Sequence, residues 1–186
     1  KKQLEKLNIE EIQPSRRKYP YVAFKPEREI GNEVLEVHNI TKVIDGVKVL
    51  DDISFRLEND DKVVFMGDDM AATALFNILS ERDTDFEGSF KWGVTTSQDY
   101  MPKNHNEYFD GCELSLVDWL RQYSEEKSES YIRGFLGRML FSGDEALKEA
   151  NVLSGGEKVR CMLSKLMLSN ANVLMLDDPT NHLDLE

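Results

Sequence analysis

Two clusters in the last third of this 186-residue chain have the residue types and spacing for chemistry on a phosphorylated ligand. The first is Ser154-Gly155-Gly156-Glu157, set directly before the helical apolar pattern Val159, Met162, Leu163 and Leu166. A helix start presents unpaired backbone N–H groups and the positive end of the helix dipole, so it binds anions. The two glycines let the ligand approach the backbone closely, and the Ser154 hydroxyl sits beside them, so a terminal phosphate fits. The same four residues also read as an ordinary helix N-cap with Ser154 as the cap. The second cluster is Asp177-Asp178, at the end of the apolar run Val173–Leu176. An unbroken apolar run of that length is expected of a strand buried on both faces. On its own the Asp-Pro step that follows reads as a solvated turn; a carboxylate at such a strand end can also hold Mg²⁺.

The elements that must position these clusters are legible in outline. Val34, Leu35 and Val37 form a strand; Val47–Leu50 and Ile53–Leu57 form two more, separated at the turn-prone Asp51-Asp52. Lys62–Met66 reads as a short apolar strand ending at Gly67. A helix over 71–80 carries Ala72, Leu75, Phe76 and Leu79 on one face, and Ser89–Val94 is another strand. Residues 113–150 are helical in pattern, with one stripe at Leu116, Val117 and Leu120 and another at Ile132, Phe135, Leu136, Met139 and Leu140. These stripes are core packing. Leu4, Leu7 and Ile12 suggest the end of a helix stopped near Pro14, and the prolines at 14, 20 and 26 hold the next stretch extended.

Composition narrows the function classes. The net charge is −12, yet residues 1–28 hold eight Lys/Arg against four Glu, leaving −16 for the remainder. An acidic body repels nucleic-acid phosphate. Any RNA contact falls to the basic arm, where Arg meets phosphate and Tyr is available for stacking; a plain solvated connector is the other reading. No apolar run reaches the ~20 residues that span a bilayer, and the first residues lack a signal-peptide core. Cys112 and Cys161 have no metal-type spacing and read as reduced thiols in a cytoplasmic protein.

Taken together, Leu153–Lys158 and Val173–Asp184 resemble the signature motif, Walker B strand and D-loop of an ATP-binding cassette domain. The Glu157-Lys158 pair and Pro179-Thr180-Asn181-His182-Leu183-Asp184 are similar to the ABC-F family of soluble, ribosome-associated proteins with two tandem ATPase domains. The resemblance implies an α/β, P-loop NTPase-like fold with an antiparallel β subdomain and an inserted α-helical subdomain at about 99–152. It divides the chain into the end of an inter-domain linker at 1–30 and an ABC ATPase domain at 31–186, cut after the D-loop. It assigns Asp177 to Mg²⁺, Asp178 to the position of the catalytic glutamate, Gln98 to the Q-loop contact with Mg²⁺ and water, and Asp184 to signalling across the dimer. The family's switch histidine would lie beyond Glu186. ATP and Mg²⁺ are the implied ligands.

The chain departs from the family at its own phosphate loop. G-x-x-x-x-G-K-[ST] falls on Gly67-Asp68-Asp69-Met70-Ala71-Ala72-Thr73-Ala74, where only the first glycine survives. Ala72 adds a Cβ where backbone must crowd phosphate. Thr73 removes the lysine that pairs with β/γ-phosphates, and Ala74 removes the Mg²⁺-ligating hydroxyl. Asp68 and Asp69 each cost a bound polyanion about 3 kcal/mol at ~5 Å and an effective dielectric of ~20, partly offset by Mg²⁺. The adenine-stacking aromatic is missing from Val43-Ile44-Asp45-Gly46. In an ABC dimer each nucleotide lies between one domain's Walker motifs and the other's signature. Here the residues serving the domain's own site are altered, and Ser154, Gly155, Gly156 and Glu157, which serve the partner, are intact. The expectation is a second ATPase domain that completes the first domain's site and couples to the ribosome and tRNA through the linker. The alternatives are a cytosolic ATPase subunit of a transporter and a non-catalytic scaffold. The isolated fragment is expected to be inactive.

Overall fold

The computed structural model describes residues 19–181. The helix end expected before Pro14, together with His182 and Asp184, lies outside the described residues. Strands β1 (Glu33–Ile44) and β2 (Val47–Glu58) form a long antiparallel hairpin, and β3 (Glu87–Trp92) pairs antiparallel with the other edge of β1. The hairpin turns on Asp45-Gly46, whose φ values of 50° and 79° are both positive, as a two-residue type I′ turn requires. β2 is one strand, not the two expected. Asp51-Asp52 does not turn the chain: Asp52, at φ 53°, accepts a 2.5 Å hydrogen bond from Asn39 Nδ2, and its amide donates to Thr41 Oγ1 at 3.0 Å. Those bonds hold the acidic pair as an irregularity in the ladder, where the β1–β2 register shifts. Gly88 lets β3 lie close on β1. Its φ is 99°, and a Cβ there would meet the Asn39 carbonyl oxygen at 2.4 Å.

Helix α1 (Asp69–Leu79) begins at Asp68, whose carboxylate accepts from the Met70 amide at 2.7 Å. It buries Ala74, Leu75, Ile78 and Leu79 in one core with Val34, Leu35, Val37 and Ile40 of β1. Strands β4 (Gln98–Met101) and β5 (Val173–Leu176) pair in parallel, Gln98 against Val173 and Met101 against Leu176. Between them in sequence lies the helical subdomain: α2 (Asn106–Phe109), α3 (Leu116–Arg121), α4 (Glu129–Arg138), two 3₁₀ turns at 143–147 and 150–152, and α5 (Gly155–Leu168). The helical elements therefore begin at Asn106, since 98–101 belongs to a sheet. The pattern over 113–150 is also interrupted. α4 stops where Leu140 takes φ 66° while its amide donates to Gly137 O and the Phe141 amide to Leu136 O, at 3.1 and 3.0 Å. That is a Schellman closure made without glycine.

This subdomain has its own core, built on Trp119, Phe109, Leu116, Ile132, Leu136 and Met162. Trp119 stacks on Phe109 at a centroid distance of 4.8 Å, and its indole N–H donates to the Tyr108 carbonyl at 2.9 Å. The N-terminal stretch crosses the far end of the same unit as an extended strap. The Tyr21 amide donates to Arg138 O at the end of α4, and the Glu27 amide donates to Asn170 O just beyond α5, each at 2.9 Å. The Ala23 amide reaches Met167 Sδ at 3.2 Å, and Arg28 donates to Thr96 O at 2.8 Å.

Lys62–Met66 is not a strand. Among the described residues no strand pairs with it, and a strand is held by its neighbours rather than by its own sequence. Val64 and Met66 stand 82% and 92% exposed. A groove of about 410 Å³ separates this run from β5, lined by Val63 and Phe65 on one side and Val173 to Leu176 on the other. For the same reason β5 is only partly covered, with Met175 its one fully buried residue.

Trp119→Ala should cost about 3–5 kcal/mol, because it removes a fully buried indole and leaves a cavity. Urea denaturation followed by far-UV circular dichroism would measure it. A loss below about 1 kcal/mol would mean that this side chain does not anchor the helical core.

Candidate functional site

Ser154 caps α5 reciprocally. Its hydroxyl accepts from the Glu157 amide at 3.4 Å, while the Glu157 carboxylate accepts from the Ser154 amide and hydroxyl, both at 2.8 Å. This is a capping box. Lys148 lies 3.1 Å from the same carboxylate. Burial pushes the Glu157 carboxyl up, but the hydrogen bonds from Ser154 and the Lys148 charge outweigh it, so the group sits below the ordinary glutamate range. Ser154 itself is exposed, with Gly155 and Gly156 half-buried beside it. Lys158 Nζ, 3.4 Å from Asn106 Oδ1, ties the first turn of α5 to α2. The helix start thus combines a fixed serine, two glycines and the first-turn amides, which have no partner within the helix. It is a surface that can accept the oxygens of a phosphate.

The phosphate-loop end is arranged differently. Asp177 is buried at the end of β5, and its amide donates to Met101 O at 2.9 Å. Its carboxylate accepts from Thr73 Oγ1 at 2.7 Å and from the Tyr100 hydroxyl at 3.3 Å. Burial first, then the Asp177 charge and hydrogen bond, raise the Tyr100 phenol above its ordinary value. It therefore stays protonated as a donor. Asp178 follows at φ 53°, with Lys103 Nζ at 3.7 Å. The same ammonium is 2.7 Å from Asp69 at the start of α1. Hydrogen bonding and charge from Lys103 hold the Asp69 carboxyl below the ordinary aspartate range.

Of the sequence-predicted residues, Gly67, Thr73, Ala74, Asp177 and Asp178 gather at one end of β5, and Ser154, Gly155, Gly156 and Glu157 at the start of α5. Gln98 does not join Asp177. It opens β4 opposite Val173, at the other end of the strand pair, and its amide donates to Thr96 Oγ1 at 2.7 Å. The chain leaving β4 beside Asp177 is Pro102-Lys103-Asn104, so the group available there is a lysine ammonium. Lys103 and Tyr100 are the residues that sequence reasoning passed over. Counting outward from the Asp177 strand along its parallel neighbour would have found both.

These residues fit an Mg²⁺ ion poorly. The Asp177 carboxylate already accepts two hydrogen bonds, Ala74 offers no oxygen, and Lys103 brings a cation into the space. Among the described residues, no group of three or more His, Cys, Asp or Glu is disposed to hold a metal. The α5 start offers an anion its glycine amides; the Ser154 hydroxyl, given to Glu157, would have to turn to join them.

The lowered Glu157 carboxyl contributes stability above the ordinary glutamate pKa, and that contribution is lost as pH falls through the depressed value. Glu157→Gln should therefore cost about 1 kcal/mol near pH 7 and less at a pH below the depressed value, where the carboxyl is protonated. Urea midpoints of both proteins at the two pH values would decide it; equal differences at both would show the charged cap to be inert.

Residues 50–181 match the family model described as ABC transporter. The chain is 64% identical over 188 residues to the uncharacterized ABC transporter ATP-binding protein YkpA of Bacillus subtilis, covering all of this chain and 35% of that protein. It is 30% identical over 189 residues to the energy-dependent translational throttle protein EttA of Escherichia coli K12, covering 98% of this chain and 33% of that one. The chain thus spans about a third of the length of these curated relatives. A solved putative ABC transporter ATP-binding protein from Pyrococcus furiosus superposes with a TM-score of 0.63 at 22% identity, covering 81% of this chain and 78% of that one, and so shares the α/β fold. The carboxylates closing β5, the glycine-led start of α5 and the match across most of the chain have one explanation: the chain belongs to the ABC transporter family of ATP-binding domains.

Proposed function

We propose that this chain is the second nucleotide-binding domain of an ABC-F protein, and that its function is to complete an ATP site in the first domain. The observation that supports this most is the division between its two ends. The α5 start presents an exposed serine and two glycines at a helix N-terminus, while at the phosphate-loop end Thr73 and Lys103 are engaged by the domain's own carboxylates. In the composite site Ser154, Gly155 and Gly156 would meet the γ-phosphate of ATP bound by the partner, and Glu157 would hold the cap rigid. Mg²⁺, held on the partner's side, would neutralise the β/γ-phosphates. Asp184, outside the described residues, would carry the D-loop contact. The domain's own Asp178, with a side chain one methylene shorter than glutamate and engaged by Lys103, would contribute little to positioning water.

Helix α5 gives that contact a mechanical outlet. At about 1.5 Å per residue its 14 residues span ~20 Å, with the phosphate-facing serine at one end and Met167 beside the strap at the other. A shift of α5 on ATP closure would move the strap, and with it the basic linker that precedes it. The translational role stated for EttA supports placing that linker at the ribosome, against rRNA or tRNA, in the cytoplasm. No helix among the described residues is long and apolar enough to cross a membrane. Two other readings stay within the family: an ATPase subunit that couples to separate membrane subunits, and an ATP-independent scaffold.

Ser154→Arg in the full-length protein should lower steady-state ATPase activity at least tenfold by placing bulk and charge at the phosphate contact. Thr73→Ala should change it by less than about twofold, since that residue serves the closed end. The reverse ranking would overturn the proposal. In the same preparation, salt-sensitive cosedimentation with ribosomes is expected; recovery with membranes only in detergent would favour the transporter reading, and ribosome binding indifferent to nucleotide would favour the scaffold.

A further inference from the structure

The phosphate-loop end holds four carboxylates on two elements, Asp68 and Asp69 at α1 and Asp177 and Asp178 at β5. The expected counter-charges, a phosphate-loop lysine and Mg²⁺, do not fit there. Thr73 stands in the lysine position, Ala74 lacks a hydroxyl, and one oxygen of Asp177, Oδ2, accepts from both Thr73 and Tyr100. We propose that Lys103 is the resident cation of this site: it bridges α1 to the end of β5 and holds the two elements in this arrangement without metal or nucleotide.

Three observations carry this. Lys103 Nζ lies 2.7 Å from Asp69 Oδ2 and 3.7 Å from Asp178 Oδ2, so one ammonium spans the two elements that a bound Mg·ATP would otherwise link. Lys103 stands two residues beyond Met101, the last residue of β4, whose carbonyl accepts from the Asp177 amide, so the backbone of β5 fixes its starting point. Beneath it the Thr73–Asp177 bond joins the same two elements a second time. Asp178, held in the left-handed region at φ 53°, is turned to the side where Lys103 reaches it. A single exposed ion pair is worth little and is screened by salt. A lysine shared between two carboxylates above a buried hydroxyl–carboxylate bond fixes both elements together.

The test is amide hydrogen exchange of the full-length protein, wild type against Lys103→Met and Lys103→Arg, each with EDTA, with Mg²⁺ and with Mg·ATP. In Lys103→Met, exchange at residues 69–74 and 177–178 should quicken about three- to tenfold, while the helical core at 132–136 stays unchanged. Lys103→Arg, which keeps the charge, should stay within about twofold of wild type. Wild-type exchange at 69–74 should not respond to Mg²⁺ or to Mg·ATP. Equal rates at 69–74 in wild type and Lys103→Met would overturn the proposal. So would protection of wild-type 69–74 by Mg²⁺ or Mg·ATP, which would show that the site takes its cation from solution. The measurement needs no ATPase activity and is decided independently of the Ser154 variant.

Discussion

A buried carboxylate has to be answered, and how Asp177 is answered organises this molecule. Leaving an ionised carboxylate inside a protein without partners is prohibitively unfavourable. Asp177 is met by the Thr73 hydroxyl from α1, the Tyr100 hydroxyl from β4 and, through its own amide, the Met101 carbonyl. Three elements that are distant in sequence are thereby drawn to one point. The replacement of lysine by threonine in the phosphate loop is then more than a loss. A short side chain with a hydroxyl suits a site where the carboxylate must be satisfied from within the protein, just as a long ammonium suits one where a triphosphate does the work.

The second organising element is α5. It starts at a capping box, runs through the helical core with Val159, Met162 and Leu166 buried, and ends beside the strap. Its first turn is tied to α2 through Lys158. Lys165, nearer its end, is 2.9 Å from Asp99 of β4, both side chains being mostly buried. Because packed interiors transmit displacement rather than absorb it, a helix fastened at both ends moves as a rod. Ser154 and the strap at Tyr21–Glu27 are joined through one helix, although more than 100 residues separate them in sequence.

Much of this was legible in the residues, and the exceptions have physical causes. Ser154-Gly155-Gly156-Glu157 announced a helix start because a capping box is a local device, complete within four residues. Asp177 could be placed because a buried apolar run ending in a carboxylate is also local. Gln98 was misplaced because parallel strand pairing is nonlocal: only the register of Gln98 against Val173 shows that the chain must run on to Lys103 before it stands beside Asp177. Asp51-Asp52 misled for a related reason. Turn propensity cannot anticipate that Asn39 and Thr41, across the ladder, hold Asp52 within a continuous strand. The long helical pattern of 113–150 was right about Leu116, Val117, Leu120, Ile132, Phe135, Leu136 and Met139, which are buried, and wrong to carry the second stripe on to Leu140, which closes α4 at φ 66°; no preference of leucine itself announces a left-handed closure.

The two halves of the chain also differ in how self-sufficient they are. The helical half closes around Trp119, with Phe109, Leu116, Ile132, Leu136 and Met162 fully covered. The sheet half leaves Val63 and Phe65 lining a groove with β5 on its far side, and Val64 and Met66 exposed beside them. Covering side chains of that kind is worth roughly 1.5–3 kcal/mol each, so the four together rival the whole margin by which an ordinary domain stays folded. Whatever polypeptide lies along that groove therefore sets the melting behaviour of the sheet half, while the helical half is governed by its own interior. The end of α1 that carries Thr73 belongs to the dependent half; Ser154 belongs to the independent one.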